Sequence, residues 1–169
     1  MIETIEELAN KIGVLVVDAI KKQFLLQGHR LTGKLIDSIE QQVQVRVSGA
    51  RIQVLAESYA KFVNNGVAAA NIPFGGGSGA RTSKYIQGLK NFARLRFGVS
   101  DKEALSIAFA IARKHKREGM PTRSSSRFSK TGKRTEAVEE ALEDVNDELN
   151  KMIEDTLEVI VNLSIEQKI

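Results

Sequence analysis

The stretch that organises this chain is Glu57-Ser58-Tyr59-Ala60-Lys61-Phe62-Val63-Asn64-Asn65-Gly66-Val67. Residues 58–65 predict a short helix or turn, and Gly66 is suited to end it, because glycine tolerates the backbone angles that follow a helix. A loop rich in Gly, Ala and Ser follows over residues 66–82 and contains Pro73 and Phe74. The stretch therefore lies between a strand pair and a long irregular segment.

Upstream of this stretch the sequence predicts a β-hairpin. Apolar and polar residues alternate over residues 41–47 and again over 51–56, around a turn at 48–50. The residues predicted to face inward are Val43, Val45, Val47, Ile52, Val54 and Ala56. Because two strands alone are marginally stable, the hairpin must pack on helices or join the sheet of a partner.

Two helices are predicted before the hairpin. Apolar residues recur at helical spacing over residues 2–27, and Gly28 is a natural stop. A shorter helix begins near Thr32-Gly33-Lys34-Leu35, with Thr32 as its candidate cap.

Downstream, the pattern is mainly helical. Helices are predicted over residues 83–97 and from a capping box at Ser100 and Glu103 to about residue 118. Pro121 blocks continuation of the second helix, so residues 119–134 form a polar, basic loop. From Thr135 a long helix carries a narrow apolar seam.

These elements predict an α+β fold in one domain over residues 1–169. An N-terminal helix and a small antiparallel hairpin pack together with a long C-terminal helix. The inserted segments are the glycine-rich loop 66–82, the helical segment 83–118 and the basic loop 119–134. We expect the extended loops to become ordered in an assembly.

The composition offers little for catalysis or cofactor binding. The chain has no cysteine and two histidines, without ligand spacing for a metal. A triad of Ser124, His115 and Asp101 lacks a nucleophile-elbow pattern, and the glycine run lacks the ending of a phosphate-binding loop. The longest apolar runs are too short to cross a bilayer. We therefore predict no catalytic, cofactor or metal residues and no membrane partner.

The charge is divided sharply along the sequence. Residues 113–134 contain nine basic residues against one acidic residue, whereas residues 135–169 contain two basic against eleven acidic residues. The basic residues are Arg113, Lys114, Lys116, Arg117, Arg123, Arg127, Lys130, Lys133 and Arg134. They are candidates for contact with DNA phosphates, with an acidic partner protein, or with the acidic helix that follows. Charge alone specifies the sign of the partner and not its class.

The order of these segments resembles the head–tail joining, or tail-completion, proteins of tailed bacteriophages. The resemblance rests on Leu31-Thr32-Gly33-Lys34-Leu35-Ile36-Asp37-Ser38-Ile39, the hairpin, the stretch from Tyr59 to Gly66, and Pro73. It covers about residues 1–75, and the end of the helix at Gly119-Met120-Pro121 is similar as well. Residues 128–135 resemble virion proteins of crAss-like phages.

The resemblance implies a structural virion protein without enzymatic activity. Such a protein forms a homo-oligomeric ring, of about six or twelve copies as closed cyclic symmetry allows. The ring lies in the neck between portal and tail, contacts the portal and other tail proteins, and helps to close the DNA channel. It is assembled in the host cytoplasm and resides in the virion. The implied subunit-interface residues are Tyr59, Phe62, Val63, Pro73, Phe74 and Phe128.

This chain departs from the family pattern in two ways, and both bear on where in the neck such a protein would lie. Asn65 and Val67 stand where the family commonly has an acid and a threonine, and the helices over 83–118 are longer than expected. An alternative function is non-specific DNA binding through the basic segment 113–134.

Overall fold

The computed structural model describes residues 5–46, 49–77 and 79–166, with side chains as far as residue 158 in the last helix. The helices are α1 (Ile5–Leu26), α2 (Lys34–Asp37), α3 (Ala60–Asn65), α4 (Lys84–Phe97), α5 (Asp101–Glu118) and α6 (Ala137–Glu166). The strands are β1 (Glu40–Arg46) and β2 (Gly49–Leu55), and short 3₁₀ turns lie at Ala69–Asn71, Ala80–Thr82 and Arg123–Phe128. The α+β prediction is confirmed.

The main core lies where α1 packs against α6 and the segment around α2. Its buried residues are Val17, Ile20, Phe24, Leu35, Ile39, Ala137 and Ala141. The two long helices are antiparallel, since Gln23 near the end of α1 donates to Asp144 at 2.7 Å and Gln27 donates to the Thr135 carbonyl at 2.9 Å. The small alanines of α6 let the two helices approach closely.

The hairpin packs on α1, which contacts both of its strands. Its antiparallel register pairs Val43 with Ile52 and Gln41 with Val54. Gly13 of α1 leaves room for Gln41, because a Cβ built on Gly13 would lie 1.6 Å from Gln41 Oε1.

The predicted inward face of the hairpin is right in part. Val43 and Ile52 are half-buried, but Val45 and Val54 are 48% and 37% exposed, and Ala56 is also exposed. A single helix covers only part of the sheet face, which leaves these side chains uncovered. The predicted turn at 48–50 and the inward placement of Val47 lie partly or wholly outside the described residues.

The inserted helices α4 and α5 form a helical hairpin with a small core of its own. Ile86, Ala108 and Ala112 are buried there, and Phe74 packs edge-on against Phe109 with 6.1 Å between ring centroids. The predicted capping box is confirmed, because the Ser100 side chain accepts from the Glu103 amide while the Glu103 carboxylate accepts from the Ser100 amide.

A short antiparallel bridge joins the glycine-rich loop to the basic loop. Val67 and Met120 exchange two main-chain hydrogen bonds of 2.7 and 2.8 Å. The flanking Gly66 and Gly119 have φ values of 73° and 83° with nearly extended ψ, a region that is essentially restricted to glycine. A Cβ on Gly66 would lie 2.5 Å from the Met120 carbonyl oxygen. Both loops therefore have defined main-chain contacts within the single chain.

The start of α6 differs from the sequence prediction. The helix begins at Ala137 rather than at Thr135, and Glu136 adopts a positive φ of 63°. The cap comes from α3: Asn64 Oδ1 accepts from the Val138 amide at 2.9 Å, and the Asn64 carbonyl accepts from the Glu136 amide at 2.8 Å. The central stretch thus fixes the entry into the C-terminal helix.

Candidate functional site

A cleft of about 700 Å³ opens between the segment after α1, the start of α3, the end of α4, the end of α5 and the basic loop. We call it the cationic cleft. Its basic side chains are Arg30, Lys34, Arg96, Lys114, Arg127 and Arg134, together with His29 and His115. Its apolar side chains are Leu31, Leu35, Tyr59, Val63, Phe92, Phe97, Ile111 and Phe128. The described lining residues include no carboxylate, so the cleft is suited to an anionic ligand that also presents apolar surface.

Arg134 is a half-buried basic group of the cleft. Its Nη2 donates to the Gly28 carbonyl at 3.4 Å and lies 3.3 Å from His29 Nδ1. Burial, followed by the nearby charge of Arg96, lowers the pKa of Arg134, although a guanidinium stays protonated at neutral pH. Arg134 therefore anchors the basic loop to the end of α1 and holds a permanent positive charge there.

His29, which contacts Arg134, is neutral at physiological pH. Burial and the Arg134 charge together lower the pKa of His29 from 6.5 to about 4. The imidazole also packs edge-on against Phe24, with ring centroids 5.8 Å apart. With Nδ1 facing an Arg134 donor, the neutral tautomer carries its proton on Nε2. His29 thus serves as a hydrogen-bond acceptor that orients Arg134.

The position of the basic loop depends on a glycine contact next to His29. The Lys130 amide donates to the Leu26 carbonyl at 2.7 Å. A Cβ on Gly28, which has a φ of 75°, would lie 2.3 Å from the Phe128 carbonyl oxygen. Only glycine permits this approach, so the glycine that ends α1 also seats the basic loop.

The rim of the cleft combines aromatic and basic groups. The Arg127 guanidinium lies 4.7 Å from the ring centroid of Phe128, which is 50% exposed. Phe92 and Phe97 contact each other perpendicularly at 6.1 Å, and Phe97 is 55% exposed. Exposed aromatic and arginine side chains of this kind are typical of binding surfaces.

The structure does not assemble the triad that the sequence allowed. His115 Nδ1 lies 2.8 Å from the Tyr85 hydroxyl, and Ser124 accepts from Lys114. Asp101 pairs with Lys90 at 2.6 Å and also contacts Arg94. Within residues 5–46, 49–77 and 79–166, no group of His, Asp or Glu side chains is placed to hold a metal ion.

Six of the sequence-predicted site residues gather at the cationic cleft. They are Tyr59, Val63, Lys114, Arg127, Phe128 and Arg134. Of the three residues of the central stretch that the resemblance places at a subunit interface, Tyr59 and Phe62 have exposed side chains, whereas Val63 packs against the main core. Pro73 is exposed outside the cleft, whereas Phe74 packs inside the α4–α5 unit.

The remaining basic residues lie outside the cleft lining. Lys116 Nζ donates to the Ala70 and Ile72 carbonyls and so holds the glycine-rich loop on α5. Lys133 pairs with Glu140 at 2.9 Å, and Arg117 pairs with Glu118 at 3.0 Å. The pairing of Lys133 confirms, for that residue, the predicted contact between the basic loop and the acidic helix. Three basic side chains are exposed and form no ion pair within the described residues: Arg113, Arg123 and Lys130.

Several cleft residues were not identified from the sequence. His29, Arg30 and Leu31 follow α1, and Arg96 and Phe97 end α4. The adjacent basic and aromatic letters of Arg96-Phe97 resemble those of Arg127-Phe128, and this was the one available signal. Their convergence depends on tertiary packing across distant parts of the chain.

The chain matches no protein-family model and has no significant match among curated proteins or solved structures. Among the helices that the structure describes, none combines the length and apolar character that a membrane span requires.

Proposed function

We propose that this protein is a structural component of a phage virion that forms a ring in the connector between portal and tail. The observation that carries the proposal is the exposed hairpin. In the described part of the chain β1 pairs only with β2, so each strand leaves one edge unpaired. Such edges are templates for strand pairing with another chain.

The side chains of the hairpin favour a partner as well. Val45, Val54 and Leu55 are exposed although strands of this length usually bury one face. Addition of strands from a neighbouring copy would pair the free edges and set the neighbour's side chains beside Val45 and Val54 on one face of the sheet and Leu55 on the other. A repeated contact of this type between identical subunits closes into a ring when the rotation permits.

The segments that carry the family resemblance also form one structural unit. Leu35 and Ile39, from the Thr-Gly segment, share the main core with α1 and α6. Val63 and Ala60, from the central stretch, pack against the same core. The resemblance thus concerns a contiguous scaffold, to which α4 and α5 are added as an insertion.

Non-specific DNA binding is the second candidate. It is favoured by the exposed, unpaired side chains of Arg113, Arg123 and Lys130 in the described part of segment 113–134. This function predicts duplex binding by the isolated chain that weakens steeply with salt, because each phosphate contact releases counterions. A connector that lines a DNA channel would bind duplex DNA only weakly. Tight duplex binding therefore distinguishes this function from the connector.

The first experiment is quantitative mass spectrometry on gradient-purified phage particles from the source. The connector proposal predicts a low copy number of about six to twelve per particle, as cyclic rings allow. Capsid and portal proteins in the same sample calibrate the count. Absence from intact particles together with abundance in infected cells would contradict the proposal and favour an intracellular, DNA-binding role.

A further inference from the structure

The cationic cleft has a complementary surface on the same chain, at the far end of α6. We propose that the cleft of one copy binds the acidic and partly apolar face of α6 from a second copy, centred on Ile153, Glu154 and Leu157. This inference rests on the proposed function, because it supplies a contact between neighbouring subunits of the ring.

The cleft side of this contact is chemically mixed. Six basic side chains share the lining with exposed Leu31, Phe97 and Phe128, and no carboxylate lines the described wall. One of the six, Lys34, is already paired with Glu57 at 2.8 Å, which leaves five cations for a ligand. A DNA duplex contacted through its phosphates uses the cations but leaves such apolar groups uncovered. An amphipathic acidic helix satisfies both halves of the lining, which favours a protein ligand.

The α6 side has the matching pattern. Ile153 and Leu157 are 40% and 55% exposed and neighbour each other at i,i+4, and Glu154 borders this apolar pair through its i,i+3 spacing to Leu157. Within the described residues no ion pair joins Glu154, Asp155 or Glu158 to a base. By contrast, Glu140 at the start of α6 is already paired with Lys133. Within the described residues the ion-paired acids of α6 thus lie at its start, and acids without an ion pair continue to the distal end, where they stand beside exposed Ile153 and Leu157.

The geometry requires that the ligand come from another copy. α6 begins at Ala137, three residues after Arg134 of the cleft, and runs away along α1. At a rise of 1.5 Å per residue, Glu154 lies about 25 Å along the axis from the start of the helix. A rigid helix cannot return this face to its own cleft, whereas a head-to-tail neighbour presents it directly.

Charge reversal tests the contact in the full-length chain. Arg96→Glu changes an exposed cleft residue, and Glu154→Arg changes the α6 face. Sedimentation velocity over a concentration series measures self-association, and each variant should raise the dissociation constant at least about tenfold, because like charges are then juxtaposed. The double variant R96E/E154R restores opposite charges and should recover most of the lost affinity.

Arg113→Glu is the matched control. It makes the same change of charge at an exposed position of α5 outside the cleft lining. It should leave self-association within about twofold of the wild type, since a charge outside the contact acts on it only through electrostatic forces that salt screens. Circular dichroism checks that all variants remain folded.

A cross-linking experiment gives a second readout, because the chain has no cysteine of its own. Oxidation of the double variant F97C/L157C should give a ladder of covalent oligomers, since each copy then carries one cysteine on each of the two surfaces that form the contact. The control S106C/L157C places the first cysteine on an exposed part of α5 outside the cleft and should give no ladder.

Three outcomes would overturn the inference. The first is no self-association up to about 0.2 mM, a concentration well above the dissociation constants of specific interfaces. The second is equal loss of association in R96E and R113E. The third is tight binding of a fluorescent DNA duplex that R96E weakens while copies do not associate, which would assign the cleft to phosphate.

The result is separable from the connector proposal. If the protein is found in particles at ring copy number but the ladder is absent, the α6 contact is wrong and the connector survives. If the ladder forms but the protein is absent from particles, the contact stands and the connector fails.

Discussion

Asn64 is the side chain through which the central stretch controls the C-terminal helix, and its replacement by alanine tests that role. Its Oδ1 accepts from the Val138 amide at 2.9 Å, and its Nδ2 donates to Glu139 Oε2 at 2.8 Å and to Asn65 Oδ1 at 3.0 Å. Asn64 is also buried, so water does not replace these contacts without rearrangement. Asn64→Ala removes all three.

The expected cost follows from these two kinds of bond. Loss of a helix N-cap costs about 1 kcal/mol. Loss of a hydrogen bond to a charged carboxylate costs about 1.5 kcal/mol when the carboxylate, like that of Glu139, is exposed and can be rehydrated. We expect Asn64→Ala to lower the free energy of unfolding by about 2–3 kcal/mol, which is a fall of about 5–10 °C in Tm for a chain of this size.

Urea denaturation measures this cost as a shift of the midpoint at constant slope. Asn65→Ala is the matched control, since Asn65 is exposed and its side-chain oxygen Oδ1 accepts only from Asn64 among the described contacts. It should cost less than about 0.5 kcal/mol. Equal effects of the two substitutions would refute the assignment of Asn64 as the cap of α6.

A charge-swapped pair separates the cap from the contact with Glu139. Asn64→Asp keeps the acceptor for the Val138 amide but places a carboxylate against the carboxylate of Glu139. Glu139→Gln then supplies a donor to the new carboxylate. The double variant N64D/E139Q should therefore be more stable than N64D alone, and a double-mutant cycle gives the coupling energy.

Two further predictions concern backbone geometry and pH. Gly66→Ala should cost about 3 kcal/mol, because the alanine would be held in a glycine-only conformation with its Cβ close to the Met120 oxygen. Gly98→Ala should cost only about 1 kcal/mol, because Gly98 has a positive φ of 65° but nothing lies within 4 Å of the new Cβ. Urea midpoints of the two variants measure both costs. The pKa of His29 is lowered from 6.5 to about 4, so the unfolded chain takes up this proton first and the folded state loses stability as pH falls from about 6.5 to about 4. NMR titration should find the His29 imidazole protonating near pH 4, and His29→Gln should remove that part of the pH dependence; protonation near 6.5 would contradict the buried contact with Arg134.

The parts of the fold that were predicted correctly depend on local signals. The period of α1, the alternation of the hairpin and the capping box at Ser100 and Glu103 all lie within one segment each. The start of α6 was predicted wrongly because its cap, Asn64, comes from 74 residues upstream of Val138. No local sequence pattern around Thr135 indicates the contact with Asn64.

The candidate site was predicted only in part for the same reason. Arg134, Arg127 and Phe128 belong to one basic segment that the charge count identified. Their partners after α1 do not, since Arg134 meets Gly28 across 106 residues of sequence. Conversely, the charge count overstated the free charge, because Lys133 is neutralised by the acidic helix next to it.

This last pairing also explains how one chain can keep two opposite charges available for assembly. A basic segment followed directly by an acidic helix would neutralise itself if the acids were all close to the bases. The Lys133–Glu140 pair does this at the junction, but Glu154 lies about 25 Å along the axis from the start of α6, which is about three Debye lengths at physiological salt. The acids near Glu154 are therefore electrostatically independent of their own cleft and remain free to meet the cleft of a neighbour. Because the two surfaces differ, each copy offers one of each, so the contact proposed here would propagate from subunit to subunit and close into a ring where the rotation permits.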